Sequence, residues 1–301
     1  MPRRHPDEIA AAVRTVTPAG AAVPEWRWWR WVVQLGADVA FVADDDEGWV
    51  RLEREALLLA HLEARGRLVV PRVLEREPVG RVQVRRKVPG LNGFAIEDLV
   101  FGRPGKLTGP ERYSHDLVIT PRGERLATDL GRAIFEVQQA LGATEARALG
   151  FPETPYLTVL DQVADHLDRR PALAHLAGAL PELRRWFAAL PDDPVVAVRD
   201  LQMHNVAVDP ESGALLALFD FDDAGVAHRL EDFKYLPSFG RRFTAMALSA
   251  YADAGGPPLA SSDVWRFHVL SALEHFLFVP EGTERWREIV AWSTESLQRI
   301  R

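Results

Sequence analysis

The chain has no cysteine, which excludes disulfides, thiolate nucleophiles and thiolate metal sites throughout its 301 residues. It is almost as poor in lysine. Only Lys87, Lys106 and Lys234 occur, and every other basic residue except histidine is an arginine. Long apolar runs are missing too. The opening MPRRHPDEIAAAVRTV contains nothing that reads as a signal peptide, and no window nears the roughly 18 apolar residues that cross a bilayer. The best candidate, HVLSALEHFLFV, is short and is interrupted by Glu274 and His275. A cytoplasmic protein without a membrane partner is expected. Positive charge is in deficit, with a net charge of −7. That argues against nucleic-acid binding, which needs basic surface to displace counterions. It is compatible with a cationic small molecule.

What is present has the composition of a globular protein, 47% hydrophobic and 26% charged. The length suits two modest domains or one two-lobed unit. Residues 1–16 read as a helix with Ile9, Ala12, Val13 and Val16 on one face. WRWWRWVVQL (26–35) and DVAFVA (38–43) read as strands, and the acidic DDDEG (44–48) reads as a hairpin turn into a further strand, WVRL (49–52). On one continuous strand, Trp26 and Trp28 face one way and Trp29 and Trp31 the other. They serve either packing on both faces or an aromatic wall over a ligand. EREALLLAHLEARG (53–66) reads as a helix closed by Gly66. RLVVPRVLER and GRVQVRRKV read as two more strands, and PGLNG (89–93) punctuates the chain. Beyond it, 124–142, 157–190 and 241–300 read as mostly helical. Strands cluster early and helices late, so the expected fold class is α+β, with a hinge near Val88–Gly90 dividing 1–88 from 89–301.

The chemistry gathers between residues 196 and 232. VVAV runs into Arg199–Asp200, a loop leads to Asn205, and NVAV resumes a strand. DPESG (209–213) then turns the chain, and LLALF delivers Asp220, Asp222 and Asp223. Such a hairpin puts Asn205 and Asp220 at the same end, next to the Asp200 loop. Carboxylates and an amide oxygen converging there suit Mg²⁺, a hard ion that keeps waters and substrate phosphates in its shell.

RDLQMHNVAVDPESGALLALFDFDDAGV resembles the signature of the aminoglycoside phosphotransferase family, which is related to choline kinases and protein kinases. Asp200, Leu201, Asn205, Asp209, Asp220, Asp223, Ala224, Gly225 and Asp232 fall in register. The resemblance covers most of the chain. It implies a two-lobed protein kinase-like fold, with 1–88 a strand-rich nucleotide-binding lobe and 89–301 a mostly helical catalytic and substrate-binding lobe. It also implies an ATP-dependent kinase acting on a hydroxyl of a small molecule: an aminoglycoside, amino-polyol, amino alcohol or sugar. By position, Asp200 is the catalytic base, and Asn205 and Asp220 hold Mg²⁺ against the phosphates of ATP. Asp222 is a further metal or substrate contact. Asp222, Asp223 and Glu231 are ammonium contacts for a cationic acceptor, Arg199 stands beside the base, and Asp232 is structural.

In the early part, GADVAFVADDDEGWVRLERE resembles the family's strand–turn–strand. That makes Arg51 the expected phosphate cation and Glu55 its helix partner, with Glu53 as an alternative and Gly36 as what remains of a glycine-rich loop. Arginine stays charged and binds phosphate bidentately, so it is a chemically sound replacement for lysine. The chain departs from the family pattern at Val198 and Gln202, where relatives carry histidine, and at Arg199, where they carry glycine. Gln138 stands near a helix end that is often histidine. Each change removes a polar organiser and none removes a catalytic atom. Two other readings stay open. One is a non-catalytic pseudokinase that binds nucleotide or a partner. The other is a kinase of protein hydroxyls, for which LFDFDDAGVAHRLED is too short to hold an activation segment.

Overall fold

A computed structural model of the chain describes residues 3–17, 23–102 and 118–300. Helix α1 (Pro6–Val16) starts at a capping box in which Asp7 N–H donates to the His5 ring and His5 N–H donates to Glu8. It packs Ile9 and Val13 against an antiparallel sheet of five strands. These are β1 (Glu25–Arg27), β2 (Arg30–Leu35), β3 (Asp38–Ala43), β4 (Val73–Glu77) and β5 (Val82–Arg86), in the order β1-β2-β3-β5-β4. The two-residue period of a strand gives the sheet two different faces. Trp31, Val33, Ala40, Val42, Val82 and Val84 form a small apolar core under α1. Arg30, Phe41, Gln83 and Arg85 share the opposite face, as the pairings Arg30 with Ala43, Val32 with Phe41 and Phe41 with Gln83 require.

Two sequence expectations fail here. The acidic run 44–48 is not a hairpin turn. Asp45 caps helix α2 (Asp46–Arg65) by accepting from Gly48 N–H at 2.8 Å, and the acidic first turn complements the positive helix end. WVRL is therefore helical. Nor is WRWWRW one strand: Trp28 and Trp29 form the two-residue turn between β1 and β2. Trp26 and Trp31 thus become cross-strand partners with ring centroids 5.4 Å apart, while Trp28 is 94% exposed with a left-handed φ of 57°. Gly66 ends α2 in the left-handed conformation, as its position suggests.

The rest is mostly helical: α3 (Phe94–Phe101), α4 (Pro121–Gln138), α5 (Tyr156–Asp168), α6 (Leu180–Ala188), α7 (Gly240–Asp253), α8 (Ser261–Glu274) and α9 (Glu284–Ile300). The fold class is α+β, as expected. Two short antiparallel pairs lie among the helices: β6 (Pro194–Ala197) with β9 (Gly225–His228), and β7 (Val206–Val208) with β8 (Leu215–Leu218). Leu126, Leu130, Ile134 and Val137 of α4 are fully buried in the main core. The chain leaves the sheet through Gly90, whose φ of 140° suits glycine. It then meets β7 by two hydrogen bonds of 2.9 Å between Leu91 and Val208. Among the described residues, no helix is long and apolar enough to cross a membrane.

Helices α4 and α7 approach closely at Gly131, where an added Cβ would lie 2.0 Å from the Ala247 carbonyl oxygen. Alanine normally strengthens a helix interior by about 1 kcal/mol over glycine. Here the clash with backbone decides the sign. Gly131→Ala is expected to lower unfolding free energy by about 1–3 kcal/mol, read from denaturant titration. A stabilised variant would show that the helices can move apart freely.

Candidate active site

Strand β6 carries the chain into the site as an apolar run that ends at Val198, which is buried in the main core. Arg199 then adopts a left-handed φ of 67° and turns the chain at Asp200. The turn is braced from below. Arg199 N–H donates to Asp232 Oδ1 at 3.1 Å, and Gln138 Nε2 donates to Asp232 Oδ2 at 3.0 Å. Gln138 also donates to the Arg229 carbonyl and accepts from the Tyr251 hydroxyl, which in turn accepts from Arg229. Arg229 is paired with Asp193. Burial pushes the Asp232 carboxyl up to about 6, although Gln138 and the Arg199 N–H favour its charged form.

The half-buried carboxylate of Asp200 is oriented on both oxygens. Gln202 Nε2 donates to Oδ1 at 2.7 Å and Asn205 Nδ2 donates to Oδ2 at 3.1 Å. Asn205 Nδ2 also donates to the Asp200 carbonyl at 2.8 Å, which turns the amide oxygen of Asn205 the other way. Phe219 N–H donates to the Asn205 carbonyl at 3.0 Å. That bond extends the β7–β8 pairing and brings Asp220, at φ 64°, beside Asn205. The tight loop joining these strands is organised by Asp209, which accepts from Glu211 N–H, Ser212 N–H and the Ser212 hydroxyl. His204 is exposed, with its Nε2 3.8 Å from Asp200.

The sheet supplies the cations. Glu55 of α2 is fully buried, and Arg85 grips it with Nη1 at 2.5 Å from Oε1 and Nη2 at 2.7 Å from Oε2. Phe221 N–H donates to Oε1 at 3.0 Å, and Arg30 Nη1 stands 3.5 Å from Oε2. Burial works against the charge on Glu55, but Arg85, Arg30 and the amide outweigh it and hold the carboxyl below its usual range. Arg30 makes its closest contact with Asp220 through Nη2 and approaches Asp222 at 3.6 Å. Trp29 Nε1 donates to Asp222 at 2.7 Å. Burial pushes Asp222 up to about 7, against the pull of Arg30.

The structure thus brings Asp200, Asn205, Asp220, Asp222 and Glu55 together, with Arg51 at the edge, its guanidinium 5.5 Å from the Trp29 ring centroid and paired with none of these carboxylates. Arg51 lies on α2 rather than on a strand, and it is half-exposed and paired with Glu47 at 3.2 Å. Arg51 and Glu55 lie four residues apart on the same helix, but Glu55 is taken by Arg85 and the Phe221 amide and Arg51 by Glu47, so the Arg51–Glu55 pairing fails. Glu53 points away, 3.6 Å from Arg76. Gly36 is the turn between β2 and β3, at the opposite end of β2 from Arg30 and so roughly 20 Å along the strand. Asp223 is exposed, whereas Glu231 is buried against Lys234 at 2.6 Å. Arg199 Nε is buried with no hydrogen-bond partner among the described residues. Sequence reasoning missed Arg30, Arg85 and Trp29. One signal for Arg85 existed: VQVRR alternates valine with polar residues, so its second face had to meet something polar.

Among the described residues, no three histidine or carboxylate side chains form a ready metal cage. Asp220 and the outward amide oxygen of Asn205 are nevertheless hard oxygen donors of the kind Mg²⁺ uses when substrate phosphates complete its shell.

The model of the phosphotransferase enzyme family matches residues 25–268. Among solved structures, the GDP complex of wild-type aminoglycoside 2′-phosphotransferase-IIIa is similar, at 15% identity and TM-score 0.70, covering 98% of this chain and 100% of that one. The streptomycin–ATP–APH(2″)-IIa ternary complex gives 16% identity and TM-score 0.66, covering 98% and 97%. Macrolide 2′-phosphotransferase MphH from Brachybacterium faecium gives 18% and 0.64, covering 95% and 97%. No curated protein matches the chain.

The brace makes a pH prediction. The Asp232 carboxyl is raised from an ordinary 3.8 to about 6 in the folded state, so its proton is held by the folded chain and lost by the unfolded one between those values. Its contribution to stability therefore falls as pH rises from 4 to 7, by about 3 kcal/mol. Asp232→Asn removes that fall. Measured by denaturant unfolding, the variant should gain on the parent across this range. A difference that does not change with pH would show that Asp232 stays charged throughout.

Proposed function

The chain belongs to the phosphotransferase enzyme family, and from that membership we propose that it moves the γ-phosphoryl group of ATP to a hydroxyl of a small molecule, with Mg²⁺ and with Asp200 as base. The observation that carries this reading is the direct linkage of Asp200 to Asn205, and of Asn205 to the strand end bearing Asp220. Asp200 accepts the acceptor's hydroxyl proton, held in line by Gln202 and Asn205. The new bond joins the acceptor oxygen to the γ-phosphorus, the bond to the bridging oxygen breaks, and ADP leaves with that electron pair. Asp220 and the amide oxygen of Asn205 would hold the magnesium, which supplies charge neutralisation along the phosphates. Arg30 takes the role first expected of Arg51, because it is the cation next to these carboxylates. Residues 1–88 act as the nucleotide-binding lobe and 89–301 as the catalytic and acceptor-binding lobe.

The acceptor belongs to the amino-polyols and their relatives. Support comes from neighbours whose names include kanamycin and streptomycin complexes, and from the net charge of −7. With Glu231 held by Lys234 and Asp222 by Trp29 and Arg30, the exposed Asp223 is the carboxylate left to meet an ammonium group. A triphosphate donor fits a cytoplasmic protein.

A second reading, a silent nucleotide-binding protein, draws on one observation: Arg30 already covers Asp220. Coupled-kinase assays against a panel of aminoglycosides, macrolides, amino alcohols and sugars separate the two. Turnover of at least one acceptor is expected, and Asp200→Ala should lower it about 10²–10⁴-fold while nucleotide still raises the melting temperature. Equal turnover by that variant refutes the base. Nucleotide stabilisation without turnover of any acceptor favours the second reading, and no response to nucleotide sinks both.

A further inference from the structure

Two arginines meet Glu55, and they are not equivalent. Arg85 takes both carboxylate oxygens, and the Phe221 amide fills a further lone pair. Glu55 is therefore satisfied without Arg30, whose approach to it is the long one at 3.5 Å. The short contact of Arg30 is with Asp220, and its other carboxylate neighbour is Asp222 at 3.6 Å. The rest of its guanidinium surface faces the rings of Phe41 and Trp29, with centroids at 4.5 and 5.1 Å. Aromatic faces attract a cation without fixing its direction, so Arg30 can move between acceptors while staying covered. Its side chain is 9% exposed, at the first residue after the Trp28–Trp29 turn.

We propose that Arg30 is a latch on Asp220. It closes this carboxylate to free divalent cations and releases it only when nucleotide phosphates draw the guanidinium away. The proposal rests on the phosphotransferase reading. Its chemistry is a competition between two cations for one carboxylate. Mg²⁺ sheds water reluctantly and binds through few protein ligands, so a carboxylate already neutralised by a guanidinium offers it little. A phosphate group presents the paired oxygens that a guanidinium fits best, so nucleotide is the ligand able to move Arg30. Metal and nucleotide then bind with reciprocal positive coupling, and metal enters with the nucleotide rather than before it. Arg85 stays on Glu55 throughout and keeps α2 in place. In kinases generally, a single strand lysine serves the helix glutamate and the phosphates together. Here the two tasks fall to separate residues.

The test is Mn²⁺ binding, followed by electron paramagnetic resonance on the full chain with and without a non-hydrolysable ATP analogue. Free Mn²⁺ should bind the parent weakly and Arg30→Gln about tenfold more tightly, because the site regains a full negative charge. Asp220→Asn should abolish that gain. The analogue should raise Mn²⁺ affinity in the parent by a larger factor than in Arg30→Gln. Arg30→Lys keeps the charge but not the two-nitrogen contact, and should show a smaller gain; it serves if the glutamine variant does not fold. Free Mn²⁺ bound as tightly by the parent as by Arg30→Gln overturns the latch, and so does tight binding by the parent that Asp220→Asn removes. If the analogue fails to bind, the phosphotransferase reading falls, while the free-metal comparison still decides the latch.

Discussion

A single buried carboxylate, that of Glu55, ties the sheet to the segment that carries Asp220 and Asp222. It is the point where helix α2, strand β5 and the backbone at Phe221 meet. Gln83 steadies the arrangement by accepting from Arg85 Nε at 2.5 Å and donating to the Leu52 carbonyl at 3.2 Å. The network survives burial because each charge has a partner and each partner is itself held. Removing one member of such a pair typically costs about 3–5 kcal/mol, since it strands the other charge without water. Arg54 and Trp29 add two more ties across the same gap, to the Gly150 carbonyl and to Asp222. The position of the sheet relative to the Asp200 turn follows from these few contacts.

The turn carrying Asp200 is held by different means. Val198 offers no polar group to the turn, which is anchored instead by Asp232, from the segment after β9, accepting from Arg199 N–H, while Gln138 of α4 holds the other oxygen of Asp232. A second support lies behind that segment. His268 Nδ1 meets the Lys234 carbonyl at 2.6 Å, and Trp292 Nε1 donates to His268 Nε2 at 2.8 Å. An indole nitrogen can only donate, so Nε2 accepts and the ring's one proton sits on Nδ1. The histidine is neutral, fixed in one tautomer, and joins α8 and α9 to the loop carrying Glu231 and Asp232. Valine at 198 thus removes a polar group from a place where the fold uses apolar packing.

Much of the site was legible because it is local. Asp200, Asn205 and Asp220 sit on one turn and one hairpin, and hairpin pairing follows from the spacing of NVAV, DPESG and LLALF. Asp232 was recognisable as structural. The early region was read less well. DDDEG contains both turn and helix-capping chemistry, and the choice between them depends on whether the next residues have a sheet edge to join. Arg51 was the expected cation, and nothing local to Arg30 singled it out. Arg30 lies on the sheet face that meets Asp220, whereas Arg51 is on α2.

By itself, then, the sequence determined the α+β class, the hairpin that carries Asn205 and Asp220, and the absence of thiol chemistry. Residue type and short spacing are covalent facts, and turn and strand propensities act over a few residues. Tertiary structure alone decided which arginines pair with Glu55 and Asp220. Arg85 reaches Glu55 across 30 residues and Arg30 reaches Asp220 across 190. Such pairings depend on sheet register and on how α2 docks. A one-residue slip in β2 would have turned Arg30 to the apolar face under α1.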